Sequence, residues 1–441
     1  MPWPGYLLRM NSDHQRELSL VGAGLERLPE GLWDLSESLE VLDLSENSLS
    51  ELPEDFARLS RLRVLFLSQN RFEAVPEVLA RLPELEMIGF KGNRIAHLPA
   101  RALPPRTRWL ILTDNLLEEL PESLGDLPRL QKLMLAGNRL RHLPASLTRL
   151  GNLELVRLAA NRLDEFPDSL LSLPRLAWLA LSGNPCCPSP FQEKVETVDW
   201  SRLELLEPLG QGASGVISRC RLTNPDGTSR EVALKLFKGA MTSDGLPEEE
   251  MSVCLAAGKH PNLVPLVGRL AGHPEGRAGL VMELIPPHFR VLGGTPSRAS
   301  CTRDVYPEGT AFSLTFAWRV LAGIADLVAH LHNVGICHGD LYAHNILVDD
   351  DGHALLGDFG AAGFVAGLGE SRALGMCRLE ARAFGCLCDD LLSRVASAEL
   401  ATDAGQELLR VRDACLGEVP ALRPELSEVA VRLHRSPPTT I

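Results

Sequence analysis

An asparagine returns through the first half of the chain at almost fixed intervals. Asn47, Asn70, Asn93, Asn115, Asn138, Asn161 and Asn184 follow one another at steps of 23, 23, 22, 23, 23 and 23 residues. Each sits in one apolar frame, seen in Leu39-x-x-Leu42-x-Leu44-x-x-Asn47-x-Leu49-x-x-Leu52-Pro53. A unit this short cannot bury its apolar side alone, so only a stack of neighbours is stable. The Leu-x-Leu core predicts a short strand with both leucines turned inward. The asparagine carries a donor and an acceptor, which satisfy backbone groups where the chain leaves the strand. The Leu-Pro pair begins the return across the convex side. An earlier register, Leu18-x-Leu20-x-x-Ala23-x-Leu25-x-x-Leu28-Pro29, has alanine in place of the asparagine.

Period and pattern together identify residues 15–185 as leucine-rich repeats, about eight of them. Strand residues flanking the inward leucines are expected on the concave face. They are Val41, Val64, Phe66, Met87, Trp109, Ile111, Met134, Leu155 and Trp178, accompanied by Asp43, Lys91, Lys132 and Arg157. That is more apolar than an ordinary solvated face, and an apolar strip of this kind marks a partner surface. A separate protein is the expected partner. Packing against the second half of the chain, or a face without function, are the other readings.

The 441 residues exceed one ordinary core, and 45% hydrophobic with 23% charged residues is a globular composition. A net charge of −13 argues against nonspecific nucleic-acid or anionic-membrane binding. No apolar run long enough to span a bilayer stands out, and Met1–Met10 lacks the pattern of a secretory leader. Ten scattered cysteines, with no paired zinc-ligand spacing around Cys186-Cys187 or Cys386 and Cys388, read as thiols in a reducing, cytoplasmic setting. The repeat frame stops at Pro185-Cys186-Cys187-Pro188-Ser189-Pro190, and 186–200 reads as a short linker.

Four runs follow in order. They are Gly210-Gln211-Gly212-Ala213-Ser214-Gly215 with Ile217 beyond it, Val232-Ala233-Leu234-Lys235, His338-Gly339-Asp340 with Asn345 five residues on, and Asp358-Phe359-Gly360. Alone, each occurs by chance; a glycine loop is half the time a plain hairpin turn. Glycines between two strand-like runs let backbone amides approach phosphates. A lysine in an apolar strand is costly unless paired. Asparagine and aspartate offer the hard oxygen donors that magnesium prefers.

On these motifs residues 201–436, about 240 residues with the preceding turn, resemble the protein kinase family. The fold class expected is an α/β leucine-rich-repeat solenoid followed by an α+β bilobal kinase-like domain. The resemblance implies ATP and Mg²⁺ as cofactors. It implies that Lys235 holds the α- and β-phosphates, paired with Glu250, the member of Glu248-Glu249-Glu250 at the family's usual distance. Leu209, Gly210, Gly212, Gly215, Ile217, Ala233, Glu283, Leu284 and Leu347 are implied to bind the nucleotide, with Met282 as gatekeeper. Asn345 and Asp358 are implied metal ligands, and Asp340 the catalytic base. The stretch Phe316–His332 has the apolar spacing of a helix leading to that loop.

Four departures stand out. Gly339 replaces an arginine that in many kinases reads a phosphorylated loop. Tyr342 stands where serine/threonine kinases carry a lysine, and His344 where some tyrosine kinases carry an arginine. About 20 residues separate Asp358-Phe359-Gly360 from Glu380-Ala381-Arg382-Ala383-Phe384-Gly385, which resembles the start of a family helix. No Ala-Pro-Glu run lies between them, although Arg423 matches the arginine that pairs with its glutamate. Ser371 is the one hydroxyl residue there. The expected activity is an ATP-dependent protein kinase with serine or threonine as acceptor, its repeats recruiting a protein. A nucleotide-binding pseudokinase scaffold and a small-molecule kinase are the alternatives.

Overall fold

The computed structural model describes residues 15–188, 196–212, 215–239 and 244–435. Two compact units divide the chain. One comprises 1–156 and 161–173, the other 157–160 and 174–441. The first contains most of the expected repeat segment, but 157–160 and 174–185 group with the second.

Each repeat begins with a three-residue strand: β1 (Glu17–Ser19), β2 (Val41–Asp43), β3 (Val64–Phe66), β4 (Met87–Gly89), β5 (Trp109–Ile111), β6 (Lys132–Met134), β7 (Leu155–Arg157) and β8 (Trp178–Ala180). They form one sheet in chain order, and parallel pairing aligns Leu42, Leu65, Ile88, Leu110 and Leu133 in one register. The returns are short 3-10 turns such as Glu54–Arg58 and Glu122–Asp126, each preceded by the proline of its Leu-Pro pair. Leu42, Leu65, Leu110 and Leu133 are fully buried, as the alternation requires. The asparagines form a ladder. Asn138 Nδ2 donates to the carbonyls of Leu112 (2.8 Å) and Leu135 (2.9 Å), while its Oδ1 accepts from the Leu117 amide at 3.1 Å. The concave strip is less open than its composition suggests: Val64, Met87, Leu155 and Trp178 are buried, and Val41, Phe66, Trp109, Ile111 and Met134 half-buried.

The second unit continues with β9 (Thr197–Asp199), β10 (Leu203–Gln211), β11 (Gly215–Thr223), β12 (Ser229–Phe237), helix α1 (Pro247–Ala256), β13 (Leu266–Ala271) and β14 (Gly279–Glu283). The strands form a sheet of order β10-β11-β12-β14-β13-β9. Part of the expected linker is thus sheet, because β9 pairs in parallel with β13. Val198, Cys220, Val232, Leu234 and Val281 close one apolar side of this sheet.

Then come β15 (Arg290–Val291), α2 (Leu314–Asn333), β16 (Ile336–Cys337), β17 (Ile346–Val348), β18 (Ala354–Leu356), β19 (Gly363–Phe364) and α3 (Glu370–Leu392). Helices α4 (Ser397–Leu400), α5 (Asp403–Cys415) and α6 (Leu426–Arg435) are the last elements among the described residues. Strands β15, β17 and β18 form a small sheet, and β16 pairs with β19. Helix α2 starts at Ser313, whose side chain accepts from the Phe316 amide. By length and composition α2 could cross a bilayer, but Val320, Leu321, Ile324, Leu327, Val328 and Leu331 are buried inside the unit. Such a helix is also what a protein core requires. Helix α3 begins at Glu370, ten residues before the expected start at Glu380, so half of the expected loop is helical and Ser371 lies exposed in its first turn.

Candidate functional site

In the second unit, antiparallel pairing sets Ile217 opposite Lys235 and Ala233 opposite Met282. These residues line a cavity of about 530 Å³, together with Leu209, Gly212, Gly215, Glu250, Glu283, Leu284, Asn345, Leu347 and Asp358. Leu209 is at the rim, 48% exposed. Gly210 does not line the cavity, and Ala213 and Ser214 fall outside the described residues. A Cβ on Gly215 would come within 2.7 Å of the Leu236 carbonyl oxygen, so only glycine fits where β11 opens. One end of the cavity is aliphatic and suits a flat apolar ring. The other carries the charged groups.

Lys235 Nζ bonds Glu250 Oε1 and lies 3.5 Å from Asp358 Oδ1. Glu248 is exposed and Glu249 half-buried, so Glu250 alone of the triplet meets the lysine. Burial pushes Glu250 up to about 7, against the pull of Lys235, and its Oε2 has no partner among the described residues. Burial also acts to lower Lys235, but Asp358 and Glu250 outweigh it and hold the ammonium above its ordinary range.

Asp340 has both oxygens engaged. Asn345 Nδ2 donates to Oδ2 at 2.8 Å and to the Asp340 carbonyl at 2.9 Å. Arg157 Nη2 bonds Oδ1. The arginine is 2% exposed; its Nε donates to Asp244 Oδ1 at 2.7 Å and its Nη1 to the Gly339 carbonyl at 3.1 Å. Burial raises the Asp340 carboxyl above its ordinary range, and Arg157 opposes that rise.

The departures from the family pattern have local causes. Gly339 has φ +70, and a Cβ there would come within 2.6 Å of the Ala361 carbonyl oxygen, so an arginine does not fit this backbone. Its amide donates to Glu380 Oε1 at 2.8 Å, while Glu380 Oε2 meets His332 Nε2 at 2.8 Å. Tyr342 is stacked on Trp178, ring centroids 4.4 Å apart and planes 8° from parallel, and Trp178 Nε1 donates to the Leu341 carbonyl at 3.1 Å. Trp178 and Arg157 are therefore turned inward within the second unit and are not open to a separate partner. His344 Nδ1 meets Asp304 Oδ1 at 2.6 Å, and its backbone amide donates to Asp304 Oδ2. Arg423 is buried and donates to the carbonyls of Gly417, Arg378 and Pro174 instead of to a glutamate.

The sequence reading missed Asp244, Asp304 and His332, and placed Arg157 only as a concave charge. Nothing local marks them: each acts on a residue 40 to 183 positions away.

Asn345 spends its amide hydrogens on Asp340, which leaves Oδ1 as an oxygen donor in the cavity that the half-exposed Asp358 also lines. That donor set fits a magnesium ion, and the cavity above it fits a nucleotide. The arrangement can hold a phosphate chain and offer a carboxylate to a hydroxyl.

Comparison with known proteins agrees with both halves. The protein kinase domain model matches residues 203–375, and the leucine-rich-repeat model matches 15–72, 37–95, 105–163 and 128–185. Ribosomal protein S6 kinase 2 alpha of Gallus gallus is 32% identical over 171 residues, covering 38% of this chain and 21% of that protein. Ribosomal protein S6 kinase alpha-6 of Danio rerio is 33% identical over 172 residues, with coverage of 38% and 21%. Ribosomal protein S6 kinase 2 beta of Xenopus laevis is 32% identical over 171 residues, and the chain covers 25% of it. The chain thus spans a quarter or less of the length of these curated relatives. A solved leucine-rich-repeat protein of Leptospira interrogans is 26% identical, covering 39% of this chain and 50% of that one, at a TM-score of 0.35. The chain joins N-terminal leucine-rich repeats to a C-terminal protein kinase domain.

Proposed function

We propose that the chain is an ATP- and Mg²⁺-dependent protein kinase acting on serine or threonine hydroxyls, and that its first unit recruits a protein partner. One observation carries the reading: Lys235 bonds Glu250 and reaches Asp358 in the cavity, and Asn345, which lines the same cavity, donates to Asp340 behind it. Lys235 holds the phosphate chain, fixed by Glu250. Ile217, Ala233 and Leu347 enclose the base. Asn345 and Asp358 hold the metal, which when bound neutralises phosphate charge. Asp340 receives the acceptor proton. The S6 kinase relatives favour serine or threonine over tyrosine.

On the first unit, half-buried Phe66, Trp109 and Met134 remain the partner-facing residues of this reading. A cytoplasmic setting accords with thiols at Cys220, Cys254, Cys337, Cys377, Cys388 and Cys415. The test is incubation with Mg-ATP and a peptide library of serine, threonine and tyrosine acceptors, read by mass spectrometry. Phosphoserine or phosphothreonine is expected. Phosphotyrosine alone would overturn the assignment of acceptor, and no phosphopeptide at all would favour a pseudokinase.

A further inference from the structure

We propose that Arg157, at the end of a repeat strand, supplies the positive charge of the phosphoryl-transfer site, the charge that Tyr342 and His344 do not provide. This rests on the kinase reading above.

Three observations lead to it. Both catalytic-loop positions where a cation is expected are committed elsewhere. Tyr342 is neutral and stacked on Trp178, and His344 is paired with Asp304. The third position, Gly339, cannot carry a side chain in its backbone conformation. Among the described residues, Arg157 is the cation ion-paired with Asp340.

The guanidinium is also placed on the right atom. Asn345 donates to Oδ2 of Asp340 and Arg157 Nη2 to Oδ1, and the second lone pair of Oδ1 is the one assigned to the acceptor hydroxyl. The transfer is then balanced as follows. The acceptor oxygen forms a bond to the γ-phosphorus, its proton passes to Asp340 Oδ1, and the bond from the γ-phosphorus to the bridging oxygen breaks, ADP keeping the electron pair. A guanidinium one hydrogen bond from the receiving oxygen lies beside the charge that moves. In a water-poor site such a preset cation is worth far more than on a surface.

The position is rigid. Arg157 is held by Asp244 and by the Gly339 carbonyl besides Asp340, which fixes the planar fork in one orientation. Trp178 pins the adjoining loop through Tyr342 and Leu341. Without Arg157, the Asp340 and Asp244 carboxylates would lose the guanidinium that both accept from, and negative charge beside Asp358 would rise. That would oppose binding of the charged end of the nucleotide.

The experiment compares wild type with Arg157→Gln, Arg157→Lys and the double variant Arg157→Gln/Tyr342→Lys. Phosphate transfer to a generic acceptor is measured as kcat and nucleotide KM, and Mg-ATP and Mg-ADP affinities by calorimetry, on protein checked by circular dichroism. Expected is a loss of roughly a hundredfold in kcat for Arg157→Gln, as for removal of one charge-stabilising donor. Nucleotide KM should move less than threefold, Arg157→Lys should keep part of the rate, and Tyr342→Lys should restore part of it. The preference for ATP over ADP should also fall in Arg157→Gln. If Arg157→Gln is as active as wild type, or more active, the proposal is overturned, and higher activity would make the arginine a plug on Asp340. If wild type transfers no phosphate, the kinase reading fails on its own. The ATP-to-ADP preference then decides the role of Arg157, an unchanged preference refuting it. Should Arg157→Gln not fold, Tyr342→Lys in the Arg157→Lys background carries the same comparison.

Discussion

Replacing Lys235 by methionine isolates the pair at the centre of the cavity. The two side chains are 10% and 2% exposed, so Lys235→Met leaves a buried carboxyl with neither oxygen bonded. Removing one partner of a buried pair costs about 3–5 kcal/mol while the other stays charged. Glu250 sits at about 7 in the intact protein, raised above its ordinary 4.5 by burial. A carboxyl whose folded value is raised contributes stability that is full below about 4.5 and lost as pH rises through about 7. Lys235 pulls that value down, so its loss raises it further. The variant therefore recovers relative to wild type as pH falls.

Near pH 8.5 the full cost of about 3–5 kcal/mol applies, and at about 2–4 °C per kcal/mol for a unit of this size the melting point falls by about 6–20 °C. Near pH 6 the carboxyl is protonated, and about 1–2 kcal/mol for the lost hydrogen bond remains. Lys235→Met/Glu250→Gln removes the buried charge, so at the higher pH it should regain at least half of the deficit. Thermal unfolding of the three proteins at both pH values, with and without Mg-ATP, reads all of this. Mg-ATP should shift wild type and leave Lys235→Met unmoved. An equal deficit at both pH values with no recovery in the double variant would refute the argument.

Asn138→Ala should destabilise the first unit by about 1–3 kcal/mol. It strands the Leu117 amide, while the Leu112 and Leu135 carbonyls keep the Asn115 and Asn161 side chains, and the urea midpoint measures it. His332 lies buried, which lowers its value, but hydrogen bonds to Cys377 and Glu380 outweigh burial and push it up to about 10. A histidine so raised gives stability that is full below about 6.5 and lost as pH rises through about 10. His332→Gln should therefore lower the melting point most near pH 6, the gap narrowing as pH rises and closing above pH 10. A gap constant with pH would remove the charged pair from the account. Trp109→Ala should weaken partner capture about tenfold while phosphate transfer to a generic peptide is unchanged. Affinity measured on an identified partner checks it.

Local information was enough for the repeats. A strand, an asparagine and a Leu-Pro turn recur within 23 residues, and each contact is made with the next copy. The kinase motifs were legible for a related reason: glycine, lysine, asparagine and aspartate are costly where they stand unless they do chemistry. Three features were hidden. Alternation places Trp178 and Arg157 outward from their strand but cannot say what covers that face, here Tyr342 and Asp340. The start of α3 at Glu370 depends on how little chain follows Asp358-Phe359-Gly360, since β19 and one turn use up residues 363–369. Glycine at 339 read as a lost arginine, yet its positive φ beneath the Ala361 carbonyl makes it a requirement of the backbone.

The most direct test of the account is single-turnover phosphoryl transfer by wild type and Asp340→Asn, with Mg-ATP binding measured on the same samples. Asparagine keeps one acceptor oxygen, which can take the bond from Arg157 or from Asn345 but not both, and it cannot take a proton. The account predicts transfer by wild type, a rate lower by roughly a hundredfold or more in the variant, and equal stabilisation of both by Mg-ATP. Equal rates in the two proteins would contradict it, because Asp340 would then not be the group that receives the acceptor proton.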